Sequence, residues 1–215
     1  MIELLTVMVG RLSENEISVN PALKLEQQER IREIIKLRGL CRSGHFNLSG
    51  EHSAVVLDSL NPYRFPDPLS QIKALSEVDY LGDLLYSLLS SQKLRFDAIL
   101  VPNTLSSWFA GGINNAISGK MDGQPEWLNR LNGLKRARII CPGVQRDQLT
   151  GEPIQNNYLH PNEHVLYISQ MMTSGQLFFA KNLISRQGAF MAAAACFART
   201  EQTDGQVFSL VTFPA

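Results

Sequence analysis

A chain of 215 residues with 44% hydrophobic and 19% charged side chains can bury a substantial core, which excludes an intrinsically disordered protein. Lysine plus arginine equal aspartate plus glutamate at 20 each, so the charge does not indicate a nucleic-acid partner, and we expect none. The three cysteines are far apart without metal-ligand spacing, and no apolar run reaches the roughly 18 residues that a membrane span requires. These features predict a cytoplasmic protein with no metal site and no membrane segment.

The N-terminal part of the chain contains an extension, a helix and a strand-like segment. Residues 1–24 begin apolar and then become polar, and we interpret them as an N-terminal extension, either strand or helix. From Leu25 to Arg38 the isoleucines fall on one face of a predicted helix, and Gly39 follows as a C-terminal stop. The segment at about 40–66 changes to strand-like spacing with glycine turns and ends in the proline-rich stretch "NPYRFPDP".

The rest of the chain alternates helices with short apolar strands. A long amphipathic helix is predicted from Ser70, a second helix within 103–118 and a third from about Gly175 to Arg186. The predicted strands are 96–101, 137–141, 164–168, 190–197 and 207–213. This alternation is typical of a parallel sheet covered on both faces, in which ligands bind beyond the C-terminal ends of the strands. The loops that this rule selects follow Val101, Cys141 and Ile168.

The loop after the third of these strands contains a motif that can bind an anion. Thr173, Ser174 and Gly175 place two hydroxyls and a flexible backbone at the start of a helix, where free N–H groups and the helix dipole favour negative charge. A simple helix cap by Thr173 or Ser174 explains the same residues, and the short motif alone favours the cap.

The order of residues around this motif resembles the ribose-phosphate loop of type I phosphoribosyltransferases. That loop has four apolar strand residues, two polar residues, two further residues and a Thr-rich turn that opens a helix. In that family the two polar positions are acidic and hold the ribose hydroxyls of phosphoribosyl pyrophosphate, and the turn binds its 5′-phosphate. In this sequence Ser169 and Gln170 stand at the two acidic positions, so the ribose-binding pair is degenerate. Leu177 stands where the family has a final hydroxyl residue. The resemblance implies residual phosphate-binding positions at Thr173, Ser174 and Gly175.

A second segment, 34–58, resembles the N-terminal segment of orotate phosphoribosyltransferases, in which a Gly-x-Phe turn leads to a Ser-Gly-x-x-Ser element. The matching residues are Gly44, Phe46, Leu48, Ser49, Gly50, Ser53 and Asp58. The resemblance implies one α/β domain at 25–215 with a type I phosphoribosyltransferase-like parallel sheet flanked by helices. It further implies a small N-terminal hood at about 40–66, a core at about 70–215, and a homodimer.

Two further loops depart from the family's pattern. The pyrophosphate loop of the family corresponds to "NTLSSWFAGG", with Trp108 and Phe109 near the place where the backbone should approach the pyrophosphate. Gly111 and Gly112 come later, and we assign them to a helix or its packing. The family's mobile loop, which carries a catalytic lysine and a histidine near a glycine, falls on 143–165. Its degenerate positions here are Gln145, Arg146, Gln148 and the matching glycine Gly151.

These departures predict the loss of the family's reaction. Transfer from phosphoribosyl pyrophosphate requires a neutralised pyrophosphate, a bound Mg²⁺ and an oriented ribose, and all three loops that provide these have changed. We therefore predict a pseudoenzyme without a cofactor that acts as a binding, regulatory or assembly module. Trp108, Phe109 and Trp127 are candidate contacts for an unidentified protein partner, because aromatic residues dominate binding hot spots. Ordinary core packing is the alternative for each of them.

Two other functions stay open. The first is an active orotate or related-base phosphoribosyltransferase with atypical loops, which would use Mg²⁺ and would need Asp58 or Asp147 to replace the missing acidic pair. The second is a sensor of a phosphorylated small molecule that uses only the residual positions 173–175. Both would preserve the scaffold and differ from the pseudoenzyme in the ligand that they bind.

Overall fold

The computed structural model describes residues 17–38, 41–48, 51–57, 65–102, 104–122, 135–141, 158–200, 203 and 207–213. The helices are α1 (Leu25–Arg38), α2 (Pro68–Ser91), α3 (Thr104–Met121) and α4 (Ser174–Arg186). The strands are β1 (Ser18–Val19), β2 (Cys41–Leu48), β3 (Glu51–Leu57), β4 (Ala98–Leu100), β5 (Arg138–Ile140), β6 (His164–Met172), β7 (Phe190–Thr200) and β8 (Val207–Phe213).

The main sheet has the order β1-β8-β7-β6-β4-β5, and β2 and β3 form a separate antiparallel hairpin. Strands β4 to β8 are parallel to their neighbours, whereas β1 is antiparallel to β8, with Ser18 opposite Thr212. The next strand in the chain after β4, which is β5, therefore lies on one side of β4, and the following strand, β6, lies on its other side. The predicted α/β fold with a parallel sheet flanked by helices is confirmed. Residues 18–19 of the predicted extension belong to this sheet.

Alternate strand residues point to opposite sides of the sheet, and helices cover both faces. Ile99 and Val101 pack into a core cluster with α1, α2 and α3, whereas Ala98 and Leu100 belong to a second cluster with α4. This arrangement places α3 and α4, which follow β4 and β6, on opposite faces. Within the described residues, no helix is long and apolar enough to cross a membrane.

Helices α2 and α3 approach each other so closely that their backbones touch. A Cβ atom added to Gly82 of α2 would lie 2.7 Å from the Cα of Gly112 in α3. A Cβ atom on Gly112 would lie 3.1 Å from the Cα of Gly82. These distances leave no room for a side chain on Gly82, so glycine there sets the spacing of the two helices. The assignment of Gly112 to helix packing is confirmed, whereas a Cβ on Gly111 would meet nothing within 4 Å.

Two boundaries differ from those that the hydrophobic pattern predicts, one set by a local cap and the other by pairing with a distant strand. Helix α2 begins at Pro68, before the predicted Ser70, because the Asp67 carboxylate caps the helix by accepting a 2.9 Å hydrogen bond from the Ser70 amide. Strand β6 continues past the predicted end at Ile168 as far as Met172, because its backbone keeps pairing with β7 through Met171 and Met172.

Candidate functional site

The order of the parallel strands selects one place for a ligand, the carboxyl edge between β4 and β6. In doubly wound sheets a ligand binds beyond the carboxyl ends of the strands where the chain reverses its direction across the sheet. Leu100 ends β4 opposite Tyr167 of β6, but β6 continues to Met172. The carboxyl half of β6 therefore projects past β4 and forms one side of this edge. We call the region around the end of β4 and residues 168–175 the carboxyl edge.

Ser169, one of the two degenerate ribose-binding positions, lies buried within β6. Ser169 is only 4% exposed, and its hydroxyl donates a 2.7 Å hydrogen bond to the Met171 carbonyl. Its partner on β7 is Cys196, whose thiol pKa is raised by burial. Burial also raises the pKa of Tyr167 to about 12. Tyr167 and Cys196 are thus neutral at physiological pH, the charge of Arg199 acts on Cys196, and Gln170 beside Ser169 is half-buried.

The T-S-G turn caps α4 through two reciprocal hydrogen bonds between Thr173 and Gln176. Thr173 is 1% exposed, and its hydroxyl accepts a hydrogen bond from the Gln176 amide at 3.3 Å. The Gln176 side-chain oxygen accepts one from the Thr173 amide, also at 3.3 Å, which completes a capping box. Ser174 and Gly175 form the first turn of α4, and Leu177 is buried beneath it. The Thr173 amide that could donate to a phosphate is therefore bonded to the Gln176 side chain, and the Thr173 hydroxyl oxygen accepts from the Gln176 amide.

Two threonines, Thr200 at the end of β7 and Thr203 just beyond it, close this edge further, and no sequence pattern indicated them. The Thr203 hydroxyl donates a 3.0 Å hydrogen bond to the Met172 carbonyl, and the Thr200 and Thr203 hydroxyls are 3.0 Å apart. Both residues are buried. They were missed because the contact joins positions 31 residues apart, which no local pattern encodes.

The aromatic residues predicted as partner contacts are placed differently from one another. Phe109 is 1% exposed and its ring stacks on Phe197 with centroids 6.3 Å apart, so it lies in the core and offers no surface to a partner. Trp108 is half-buried and packs against the same core cluster. The core-packing alternative describes Phe109, whereas Trp108 stays a predicted partner contact. Trp127 lies outside the described residues.

The predicted mobile loop lies largely outside the described residues. This applies to all four of its named positions, Gln145, Arg146, Gln148 and Gly151. Asp58 and Asp147, which an active enzyme would need as substitutes, also lie outside them. Within the part of the chain that the structure describes, no group of three or more His, Cys, Asp or Glu residues could hold a metal ion.

Charged contacts are found instead at the amino edge, where the strands begin. Glu163, just before β6, accepts hydrogen bonds of 2.9 Å from Arg138 Nη2 and from the His160 amide. Burial alone would raise the pKa of Glu163, but these hydrogen bonds and the arginine charge outweigh it and lower that pKa below its ordinary value. Asp97 makes longer contacts of 3.8 Å with Lys135 and His164. These contacts join the starts of β4, β5 and β6, at the opposite end of the strands from the carboxyl edge.

No protein-family model matches the sequence, and no curated protein matches it. The fold is nevertheless similar to those of several solved structures. The UMP synthase of Leishmania donovani is 14% identical with a TM-score of 0.49, and the similarity covers 88% of this chain and 36% of the synthase. The adenine phosphoribosyltransferase of Thermoanaerobacter pseudethanolicus is 14% identical with a TM-score of 0.49, covering 84% of this chain and 99% of that enzyme. The orotate phosphoribosyltransferase of Mycobacterium tuberculosis is 14% identical with a TM-score of 0.48, covering 86% and 95%.

These similarities are distant. This chain spans 36% of the length of the synthase, and most of the length of the two transferases. Because every identity is 14% and every TM-score is below 0.5, they establish neither a family nor an activity for this chain.

Proposed function

We propose that this protein is a non-catalytic, phosphoribosyltransferase-like module that binds or regulates another molecule. The observation that supports this function best is the capping box at the start of α4, in which Gln176 occupies both the hydroxyl and the amide of Thr173. A phosphate that bound the Thr173 amide would have to displace the Gln176 side chain, and it would have to reach a residue that is only 1% exposed. The loop that resembles a phosphate-binding loop thus stabilises a helix end.

The neighbouring ribose-binding positions support the same function. Charge-assisted hydrogen bonds from a carboxylate to a ribose diol are about twice as strong as neutral ones. Ser169 has no charge, is buried, and donates its hydrogen to Met171. Gln170 can offer only a neutral amide. Because removal of one electrostatic contributor costs about 10²–10³ in rate, transfer at this edge would be very slow.

The residues at this edge also do not fit the Mg²⁺ that phosphoribosyl transfer would use. Mg²⁺ prefers carboxylate, phosphate and water oxygens in octahedral geometry. The described side chains at the ends of β4 and β6 contribute hydroxyl, amide and thioether groups, and the acidic positions of the family are Ser169 and Gln170. No step of a reaction is therefore assigned to a metal here.

Calorimetry with phosphoribosyl pyrophosphate, with and without Mg²⁺, tests this function. We expect no Mg²⁺-dependent binding, and no nucleotide formed when orotate is added. Tight binding that requires Mg²⁺, together with turnover of orotate or another base, would show an active enzyme. Binding that is independent of Mg²⁺ and is weakened in a Thr173→Val, Ser174→Ala variant would instead show a sensor of a phosphorylated molecule.

The proposal extends to the setting in which the module works. We propose that it forms a homodimer and that it acts in the cytoplasm, as the family resemblance implies. Sedimentation velocity on the purified protein tests the dimer, and a monomer at micromolar concentration would contradict it. Fractionation of the source cells tests the compartment.

A further inference from the structure

The outer face of α4 carries two adjacent phenylalanines that the core does not use. Leu177, Ala180 and Ile184 form the buried stripe that holds α4 on the sheet. Phe178 and Phe179 lie on the opposite side and are 69% and 66% exposed. Together with the exposed residues Lys181, Asn182, Ser185 and Arg186 they form what we call the α4 face.

Exposure of this aromatic pair is a feature that packing does not explain. A single exposed apolar residue is ordinary, but aromatic side chains are large and are the residues on which protein interfaces most often depend. The inner stripe already anchors the helix, and the capping box at Thr173 fixes its start. Within the part of the chain that the structure describes, Phe178 and Phe179 therefore lie outside the stripe that attaches α4 and leave most of their surface exposed.

The charge on the α4 face is of one sign. The sequence of the helix, SGQLFFAKNLISR, contains one lysine, one arginine and no acidic residue. Among the described residues, neither Lys181 nor Arg186 forms an ion pair. The exposed apolar residues of α1 and α2 are single leucines or isoleucines, and their neighbours in the chain carry both signs of charge, such as Glu26 after Leu25 and Lys73 after Ile72. A surface that combines two aromatic rings with uncompensated positive charge is complementary to an apolar surface bordered by carboxylates.

We propose that the α4 face docks an acidic amphipathic helix of a partner protein. Apolar side chains of the partner would pack on Phe178 and Phe179, and its carboxylates would pair with Lys181 and Arg186. A second copy of this chain is a poorer match, because a two-fold contact through α4 would bring the cations of both copies together. The inference rests on the proposed function, since it specifies how a binding module would recognise its partner.

A defined peptide tests the docking surface directly. The probe is a fluorescein-labelled helical peptide with leucines on one face and glutamates on the other, titrated with the full-length protein and followed by anisotropy. Two matched peptides carry glutamine or lysine in place of every glutamate. We expect micromolar binding of the glutamate peptide, about tenfold weaker binding of the glutamine peptide, and further weakening as salt is added.

Paired variants show whether the binding is at the α4 face. Phe178→Ser with Phe179→Ser should weaken binding of the glutamate peptide at least about tenfold, because apolar contacts provide most of the affinity of such an interface. Lys181→Glu with Arg186→Glu should shift the preference to the lysine peptide. The matched control is Leu69→Ser with Ile72→Ser, an equally exposed apolar pair on α2 that should change nothing. Thermal melting confirms that each variant is folded.

Three outcomes would overturn the proposal. The first is no binding of the glutamate peptide, or binding that the phenylalanine variant does not weaken. The second is binding to vesicles of 7:3 phosphatidylcholine and phosphatidylserine but not to the peptide, which would identify a membrane surface as the occupant. The third is a dimer that the phenylalanine variant dissociates. None of these outcomes depends on phosphoribosyl pyrophosphate, so Mg²⁺-dependent binding of that ligand would contradict the proposed function separately.

Discussion

The two edges of the main sheet carry opposite kinds of polar chemistry. At the amino edge, Glu163 and Arg138 form a close ion pair at 2.9 Å, and Asp97 lies near Lys135 and His164. At the carboxyl edge the described polar groups of residues 168–175 are neutral and bond to the protein itself, as with Ser169 to Met171, and Arg199 of β7 lies opposite Met172. Charge in this molecule therefore fastens the starts of strands, where a ligand of a parallel sheet does not bind. Among the described residues, the edge at which the topology predicts a ligand is closed by hydrogen bonds within the protein.

The largest loss of stability is expected when a carboxylate is introduced at the carboxyl edge, and this change tests the contrast between the two edges most directly. Ser169→Asp would bury a charge beside the Met171 carbonyl, and we expect it to destabilise the fold by about 3 kcal/mol. Chemical denaturation measures the change. The matched control is Gln170→Asp at a half-buried position, with an expected effect of less than about 1 kcal/mol.

The pH dependence of this variant provides a second readout. Burial raises the pKa of a carboxyl group above its unfolded value, so the destabilisation by Ser169→Asp should be largest at neutral pH and should shrink as the pH falls. A variant that is as stable as the parent at pH 7, or that gains Mg²⁺-dependent binding of phosphoribosyl pyrophosphate, would contradict the description of this edge as closed.

A change in the spacing of α2 and α3 should disturb the carboxyl edge more than the amino edge, because α3 begins where β4 ends. In Gly82→Ala the new methyl group would meet backbone atoms of Gly112 at 2.7 and 2.8 Å, which cannot move as a side chain can. We expect a loss of about 2 kcal/mol. Gly111→Ala is the control, since its Cβ would meet nothing within 4 Å and alanine favours a helix by up to about 1 kcal/mol. Equal stabilities of the two variants in urea would refute the contact.

The amino edge should respond to the loss of charge. Glu163→Gln keeps an acceptor for the His160 amide but removes the attraction to Arg138, and we expect a loss of about 1–2 kcal/mol at pH 7. The exposed pair at Asp97 is the control, because Asp97→Asn should cost less than about 0.5 kcal/mol.

The sign of the pH dependence follows from the lowered pKa of Glu163. A carboxylate whose folded pKa lies below its unfolded value stabilises the protein above the unfolded pKa. The difference between the parent and Glu163→Gln should therefore be complete above the ordinary value of 4.5 and should disappear as the pH falls through the lower folded pKa. A difference that grows on acidification would exclude this explanation.

The smallest effect is expected from the cap of α4. Thr173→Val removes the hydroxyl that accepts from the Gln176 amide, and loss of such a cap destabilises a protein by about 1 kcal/mol. Ser185→Ala, at an exposed position late in the same helix, should have no measurable effect. If Thr173→Val changes the affinity for inorganic phosphate without changing stability, Thr173 would be a ligand-binding residue and the contrast between the edges would fail.

Much of the fold was predictable because it depends on local pattern. The isoleucines between Leu25 and Arg38 define α1 with the observed bounds, and the apolar runs locate the strands of the sheet. The end of β6 was not predictable, because Ser169 and Gln170 interrupt the apolar run while the backbone keeps pairing with β7. Pairing between distant strands is a tertiary property that a window of residues does not contain.

The site was less predictable because side-chain direction decides it. The sequence located the T-S-G turn and its two interpretations, but only the structure shows Gln176 folded back on Thr173. The aromatic residues illustrate the same limit. Phe109 points into the core, whereas Phe178 and Phe179, which look like part of an apolar helix stripe in the sequence, point outward. Which face of a helix is buried depends on the sheet beneath it.

The contact between Gly82 and Gly112 also predicts how related sequences will vary. Because each position limits the size of the other, any side chain gained at one must be matched by a shift of the whole helix pair. Homologues that keep this spacing should therefore retain glycine at position 82 and a very small residue at position 112, while Gly111 varies freely. This pair of small residues would then identify homologues by the contact between two helices, independently of any loop motif.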